Sequence, residues 1–413
     1  MNVGRRVEQA RRLAREEGAS GLAARALTRL ADRVAPPSQR LGVFRADVLA
    51  AAEVQAEGVT VWPTLPALPG EPLTIAWVMT PPTPGSGGHT TLFRLITALE
   101  GAGHTCVVYL YDRWGGRLED HRTVMRAWWP QVRAEVRDPA AGIEDAHAVV
   151  ATAWPTAYAV LASPAKGHRV YLVQDLEPSF YPAGGEALLA EATYRFGFHG
   201  ITAGRWLAGA LADRYGMAAD HFDFGCDLDR YALPEAPAPA RSGVCFFARP
   251  ITPRRAFDLG ALALEVFAAR RPDVDIHLFG DPVGRLPFPA TDHGVLTPSE
   301  LNRLYQRCAA GLVLSATNVS LVPHEMLAAG CIPVVNDAEH NRVVLENPHV
   351  AYAPATPHDI ADALCRLVDR PADLAAADAA AAHASVRGNS WDEAGTAVEQ
   401  SIRRLVDGAP NGT

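Results

Sequence analysis

A glutamate inside an apolar segment is the first residue whose placement asks for chemistry. In SLVPHEMLAAGCIPVVND, residues 320–337, Glu325 sits on a helical stretch that feeds directly into a strand. An ionised carboxylate there is costly unless a side chain or a ligand pairs with it. Three arginines, Arg249, Arg254 and Arg255, crowd into ARPITPRR, residues 248–255. Guanidinium groups suit bidentate phosphate contact, and Pro250 and Pro253 stiffen the loop that carries them; capping a solvated loop is the plainer alternative. PGSGGH, residues 84–89, offers Gly87 and Gly88 for close backbone approach at a helix start, where unpaired N–H groups favour an anion. It is not a dinucleotide fingerprint, because the third glycine would fall at Thr90, and it lacks the P-loop lysine, so a plain turn remains open. His89 closes that loop, and Gln174, Asp175 and Glu177 follow a strand in YLVQDLEPSFYP. Groups at a strand's carboxyl end either line a cleft or cap the next turn. The pairs Asp227/Asp229 and Asp273/Asp275 have metal-binding composition, but one precedes a linker and the other opens a strand. Both read as structural, and with no His/Cys/Asp cluster at ligand spacing no metal is expected.

The elements that must position these groups alternate regularly. TIAWVMT from Thr74 is a buried strand; Leu92, Leu95, Ile96 and Leu99 fall on one helix face, Gly101 ends that helix, and TCVVYLY returns as a strand. HAVVATAW, HRVYLVQD and HGITAG followed by RWLAGALADRY continue the pattern, which predicts a parallel sheet covered by helices. YALPEAPAPARS, residues 231–242, interrupts it with prolines and small residues and reads as a linker. Strand GVCFFA, a helix marked by Leu259, Leu262, Ala263 and Val266, strand DIHLFG, helix LNRLYQRCAA, strand GLVLS and strand CIPVV then form a second unit. The organisation is a basic helical extension over 1–60, an N-terminal Rossmann-like domain over 61–230, a hinge over 231–242, a C-terminal Rossmann-like domain over 243–390, and a C-terminal helix and tail over 391–413. That last helix either stays with the second domain or packs back on the first.

Length and composition agree. At 413 residues the chain suits two domains, and 48% hydrophobic with 20% charged residues is globular usage. The net charge of -8 argues against general nucleic-acid binding. Charge is uneven, however: residues 1–45 hold ten arginines against four acids, +6, leaving -14 for the remainder. An amphipathic basic helix over residues 5–35 would either pack on its own domain or dock on an anionic membrane surface. Six scattered cysteines without a C-x-x-C pair read as reduced core thiols, and no apolar stretch suits a membrane span or a leader, so the cytoplasm is the expected compartment.

Taken together, VATAWPTAY, YLVQDLEPSFYP with LLAEATY, FFARPITPRRAFDLG and GVLTPSELNRLYQRCAAGLVLSATNVSLVPHEMLAAGCIPVV resemble family 4 glycosyltransferases of the GT-B fold. Within that group they are most similar to bacterial rhamnosyltransferases of surface polysaccharide or glycan assembly, from about Thr74 to Leu405. The resemblance implies two Rossmann-like domains facing across a cleft, the second holding a nucleotide sugar and the first a glycan or lipid-linked acceptor. It assigns donor contacts to Gly87, Gly88, Arg249, Arg254, Arg255, Thr317, Ser320, Leu321, Val322 and Glu325, with Glu325 on the ribose hydroxyls. Asp175, where many relatives carry a histidine, and Arg249 are the expected catalytic residues; His89, Gln174 and Glu177 are candidates on the acceptor side. Many members carry a second glutamate eight positions before Glu325, where this chain has Thr317. A 6-deoxy sugar such as rhamnose has no 6-hydroxyl to hold, which is compatible with Thr317. The expected reaction is metal-independent transfer from dTDP-rhamnose with retention and no cofactor. The alternatives are a nucleotide-sugar epimerase on the same fold and a non-catalytic glycan-binding subunit.

Overall fold

The computed structural model describes residues 41–59, 61–235 and 241–408. The basic helix expected over residues 5–35 lies outside them. The described chain begins with α1 (Arg45–Ala56), which packs on the N-terminal domain, Phe44 meeting Tyr111 edge to face at 5.1 Å. Strands β1 (Thr74–Met79) and β2 (Thr105–Leu110) flank α2 (Gly87–Gly101). Then follow α3 (Leu118–Trp128), β3 (Glu135–Arg137), β4 (Ala148–Ala151), α4 (Trp154–Ala162), β5 (His168–Val173), α5 (Gly185–Thr193), β6 (His199–Ala203), α6 (Arg205–Tyr215) and β7 (Ala219–Phe222). All seven strands pair in parallel, in the order β3-β2-β1-β4-β5-β6-β7.

The second domain comprises β8 (Gly243–Ala248), α7 (Phe257–Arg270), β9 (Ile276–Gly280), β10 (Thr291–Asp292), α8 (Pro298–Arg307), β11 (Cys308–Leu312), α9 (Val322–Ala328), β12 (Ile332–Asn336), α10 (Glu339–Leu345), β13 (Ala351–Ala353), α11 (Pro357–Val368) and α12 (Ala372–Ser385). Its parallel sheet has the order β10-β9-β8-β11-β12-β13. The final helix, α13 (Trp391–Val406), crosses back to the first domain, where Glu399 meets His104 at 3.1 Å and Arg404 meets Asp220 at 2.8 Å.

Strand alternation sorts the core. Ile75, Trp77 and Met79 of β1 join an apolar cluster that runs on through Phe224, Cys226 and Tyr231 to Tyr305 and Met326 of the second domain. The intervening Ala76 and Val78 face the other side of the first sheet, and Val244 and Phe246 of β8 face the outer side of the second. One continuous apolar seam therefore joins the inner faces of both sheets, so the domains are glued as well as tethered. Local capping fixes the helix starts: the Thr297 hydroxyl accepts from Glu300 N at 3.4 Å while the Glu300 carboxylate accepts from Thr297 N at 2.8 Å, opening α8 with a reciprocal pair of bonds.

Two boundaries differ from the sequence reading. HAVVATAW is strand only to Ala151, because the Thr156 hydroxyl accepts from Thr152 N and Ala153 N and turns the chain into α4. In LNRLYQRCAA the helix stops at Arg307, and the wholly buried Cys308–Leu312 joins the sheet. All six cysteines are free thiols, and only Cys365 is not fully buried. Among the described residues, no helix is long and apolar enough to cross a membrane.

Candidate functional site

In each sheet the strand order reverses once, between β1 and β4 and between β8 and β11. Crevices at such switch points, outside the carboxyl ends of the strands, are where open α/β sheets hold ligands. The β1 switch point feeds the first turn of α2, with Gly87, Gly88 and His89, and the β8 switch point feeds the loop of Arg249, Arg254 and Arg255. The post-strand loops of the two sheets meet face to face. A Cβ at Gly85 would lie 3.7 Å from Val295, and one at Gly204, where φ is +83°, would lie 2.9 Å from Val344 of α10. Gly204 needs its missing side chain twice over, for its left-handed backbone and for the approach of the other domain.

The three arginines come together as the sequence predicts, but none stands alone. Arg249 Nε donates to Asp281 Oδ2 at 2.9 Å, and its guanidinium lies 5.7 Å from the Phe247 ring. Arg254 Nε donates to Asp175 Oδ2 at 3.0 Å and covers the Phe180 ring at 4.1 Å. Arg255 is the deepest, donating to Ser315 Oγ at 2.8 Å and the Asn318 carbonyl at 3.0 Å. Burial pulls its pKa down to about 10 despite Asp175 nearby. Pro253 opens the single turn that carries Arg254 and Arg255, and Ala256 in left-handed backbone closes it.

Asp175 is buried and bonded on both oxygens: Oδ1 accepts from Leu176 N at 2.9 Å and from Asn318 N at 2.8 Å, and Oδ2 takes Arg254. It is a bridge between the domains. Gln174 Nε2 donates to the Gly88 carbonyl at 3.1 Å, tying the chain after β5 to the first turn of α2. Gly87 and Gly88 are exposed at the mouth of the crevice, whereas His89 is tethered between Ser86 Oγ at 2.8 Å and the Thr80 carbonyl at 3.1 Å, with burial lowering its pKa. Glu177 belongs to the scaffold under the crevice: its carboxylate accepts from Trp154 N at 2.7 Å, at the start of α4, and from the Tyr171 hydroxyl at 2.7 Å. Burial pushes its pKa up to about 7.

Glu325 has neighbours that the sequence did not disclose: the Tyr231 hydroxyl, on the segment between the domains, and the charges of Asp227 and Arg94 lie near its carboxylate. Glu325 is half-buried, and burial pushes its pKa up to about 7. Arg94 of α2 pairs with Asp227, which gives the first Asp-x-Asp aspartate its structural role; Asp273 pairs with Arg271 at 2.7 Å.

Along the loop that leads into Glu325 lies a run of unspent hydrogen-bonding capacity. Thr317 Oγ1, Asn318 Oδ1, Ser320 Oγ and His324 Nε2 are all enclosed without a partner. Leu321 caps α9, Val322 opens it, and burial drops the His324 pKa to about 4, so its ring is neutral. Native interiors seldom leave such atoms unpaired unless water or a ligand takes them. Sequence reasoning missed Asn318, Asp281 and Tyr231. Asp281 carried the same signal as Asp175, a carboxylate just past a strand, while Asn318 and Tyr231 carried none.

Residues 242–365 match the family described as WsaF, C-terminal domain. O-antigen biosynthesis protein RfbC of Myxococcus xanthus is 33% identical over 217 residues, 51% of this chain; the chain spans only 17% of that protein's length. Among solved structures, TarM superposes with a TM-score of 0.66 at 8% identity, over 80% of this chain and 98% of that one. Anabaena Alr3699/HepE in complex with UDP and glucose superposes with a TM-score of 0.62 at 15% identity, over 81% of this chain and 99% of that one. The chain thus has the GT-B fold, two Rossmann-like domains facing across a cleft.

Proposed function

We propose that this chain is a glycosyltransferase of polysaccharide or glycan assembly. In this reading the C-terminal domain holds a nucleotide diphosphate sugar, and the N-terminal domain presents the acceptor. One observation carries it: three arginines and a run of enclosed, unpartnered polar atoms over residues 317–324 meet at strand ends of the second domain. The match of residues 242–365 to the WsaF C-terminal family, the O-antigen biosynthesis name of RfbC and the UDP and glucose bound to HepE support the same reading. Departure of a nucleoside diphosphate leaves negative charge on its phosphate and positive charge on the anomeric carbon. Arg249, Arg254 and Arg255 are fixed cations next to where that phosphate would sit, and preorganised charge of this kind lowers the barrier without waiting for solvent. Since guanidinium groups supply the positive charge, the reaction as proposed calls on no metal.

The finer reading is transfer of rhamnose from dTDP-rhamnose with retention. Thr317, in place of the carboxylate that many relatives carry there, is compatible with a sugar that has no 6-hydroxyl to hold. Glu325, half-buried beside Tyr231, would meet the ribose hydroxyls. Arg249→Ala is expected to weaken the preferred nucleotide sugar about tenfold or more in calorimetry, the usual scale for a lost charged hydrogen bond. Unchanged affinity for dTDP-rhamnose and for a panel of UDP-sugars would discard the donor-site reading. A further part of the proposal is docking of the basic segment, residues 1–45, on anionic membranes where lipid-linked acceptors lie. Pelleting with phosphatidylglycerol liposomes should fall when residues 1–45 are removed; equal pelleting refutes the docking.

A further inference from the structure

A buried cluster of hydrogen bonds between the domains is made by a residue that no motif singles out. Asn318, in the loop after β11, is 0% exposed. Its Nδ2 donates to the Gln174 carbonyl at 2.9 Å, just past β5, and to the Ala203 carbonyl at 2.8 Å, the last residue of β6. Its backbone N–H donates to Asp175 Oδ1 at 2.8 Å. Its own carbonyl accepts from Arg255 Nη1 at 3.0 Å and from Ser315 Oγ at 2.6 Å. One residue of the second domain thus satisfies two strand-end carbonyls of the first. Through its main chain it also fixes both the carboxylate that holds Arg254 and the guanidinium of Arg255.

We propose that Asn318 is a positioning residue for glycosyl transfer. It bolts the two domains in the closed arrangement and thereby sets Arg254, Asp175 and Arg255 in the geometry that receives the donor's diphosphate. The positioning role rests on the donor-site reading above; the bolt itself does not. The residue type is what the chemistry demands. Two carbonyl oxygens face the side chain, so it must offer two donors from one atom, as a primary amide does and a carboxylate or hydroxyl does not. The bolt is reversible for the same reason. On opening, water replaces the amide at Gln174 and Ala203, so the net cost is modest, whereas in the closed form only Asn318 prevents two buried acceptors from going unpaired. Asp175 transmits the state of the bolt to the arginines, because its Oδ1 reads Asn318 and its Oδ2 reads Arg254.

The test uses the full chain with spin labels on Leu188→Cys of the first domain and Leu374→Cys of the second, both exposed, in a Cys365→Ser background. The parent should give one narrow interdomain distance by double electron–electron resonance. Asn318→Ala and Asn318→Asp should each add a longer population while far-ultraviolet circular dichroism stays that of the parent. In transfer assays both should lose at least about tenfold in kcat, with a smaller change in donor KM, because the arginines are misplaced more than they are removed. Asp175→Asn, which keeps the acceptor facing Asn318 but not the charge facing Arg254, should lower kcat while leaving the distance narrow; it also serves if the Asn318 variants fail to fold. A parent-like distance in every folded Asn318 variant overturns the bolt, and an opened distance with parental kcat overturns the positioning role. If the parent transfers no sugar from any nucleotide donor, the donor-site reading and the positioning role fall together, and the distance measurement still decides the bolt.

Discussion

Two carboxyl groups, Glu177 buried and Glu325 half-buried, give the molecule a pH signature that can be worked out residue by residue. Burial raises Glu177 and Glu325 from an ordinary 4.5 to about 7. A raised carboxyl pKa means that between about pH 4.5 and 7 the folded state holds protons that the unfolded state has released. Their stabilising share is fully present below pH 4.5 and is lost as pH rises through 7. Each group is worth at most about 3 kcal/mol over that window. Glu177→Gln should therefore flatten the fall in unfolding free energy between pH 5 and pH 8, measured in urea, by about 1 to 3 kcal/mol; a slope equal to the parent's would show that Glu177 stays ionised in the fold. At this scale the arginines were legible, because three guanidiniums in one short loop between a strand and a helix have few structural uses. The surroundings of Glu325 were not. Tyr231 lies in a linker whose composition says nothing of where it returns, and only the folded seam brings it near that carboxylate.

At the scale of elements, the alternation of apolar strands with amphipathic helices was readable because the central strands are buried on both faces, as in Cys308–Leu312, where every residue is enclosed. What escaped was short or edge structure. Glu135–Arg137, Thr291–Asp292 and Ala351–Ala353 lie at sheet margins and hold two or three residues each, too few to show a period. Element ends escaped where a side chain, not a pattern, sets them. Arg241 shows this: its guanidinium donates to the carbonyls of Tyr305 at 2.8 Å, Cys308 at 3.2 Å and Ala329 at 2.6 Å, gathering the ends of α8 and α9 just past the linker. A cation suits those carbonyl ends, where the helix dipole is negative. The run YALPEAPAPARS reads as loose, yet its last arginine is anchored into the second domain. Gly330, at φ +75°, is required beside it, since a Cβ there would lie 2.7 Å from that same guanidinium.

At the scale of the molecule, the chain crosses between its domains twice, once through the linker and once through α13. The second crossing is closely fitted. Trp391 lies under the Arg94 guanidinium at 5.2 Å and Ser401 Oγ donates to Asp220 at 2.5 Å. A Cβ on Gly395 would fall 2.3 Å from the Ala98 Cβ of α2. The helix that covalently belongs to the second domain thus completes the first, and any opening of the cleft must turn about both crossings together. Gly395→Val tests this fit, because it drives methyl groups into Ala98 and forces α13 away from α2. Overpacking of this sort costs about 1 to 3 kcal/mol, and it should also loosen the His104–Glu399 and Asp220–Arg404 pairs further along the helix. Ala98→Gly alone should cost less, since it removes a methyl group and adds a glycine to a helix. The double variant should recover part of the loss, giving a coupling of about 0.5 kcal/mol or more in a double-mutant cycle of unfolding free energies. Strict additivity of the two changes would mean that α13 does not rest on α2 in solution.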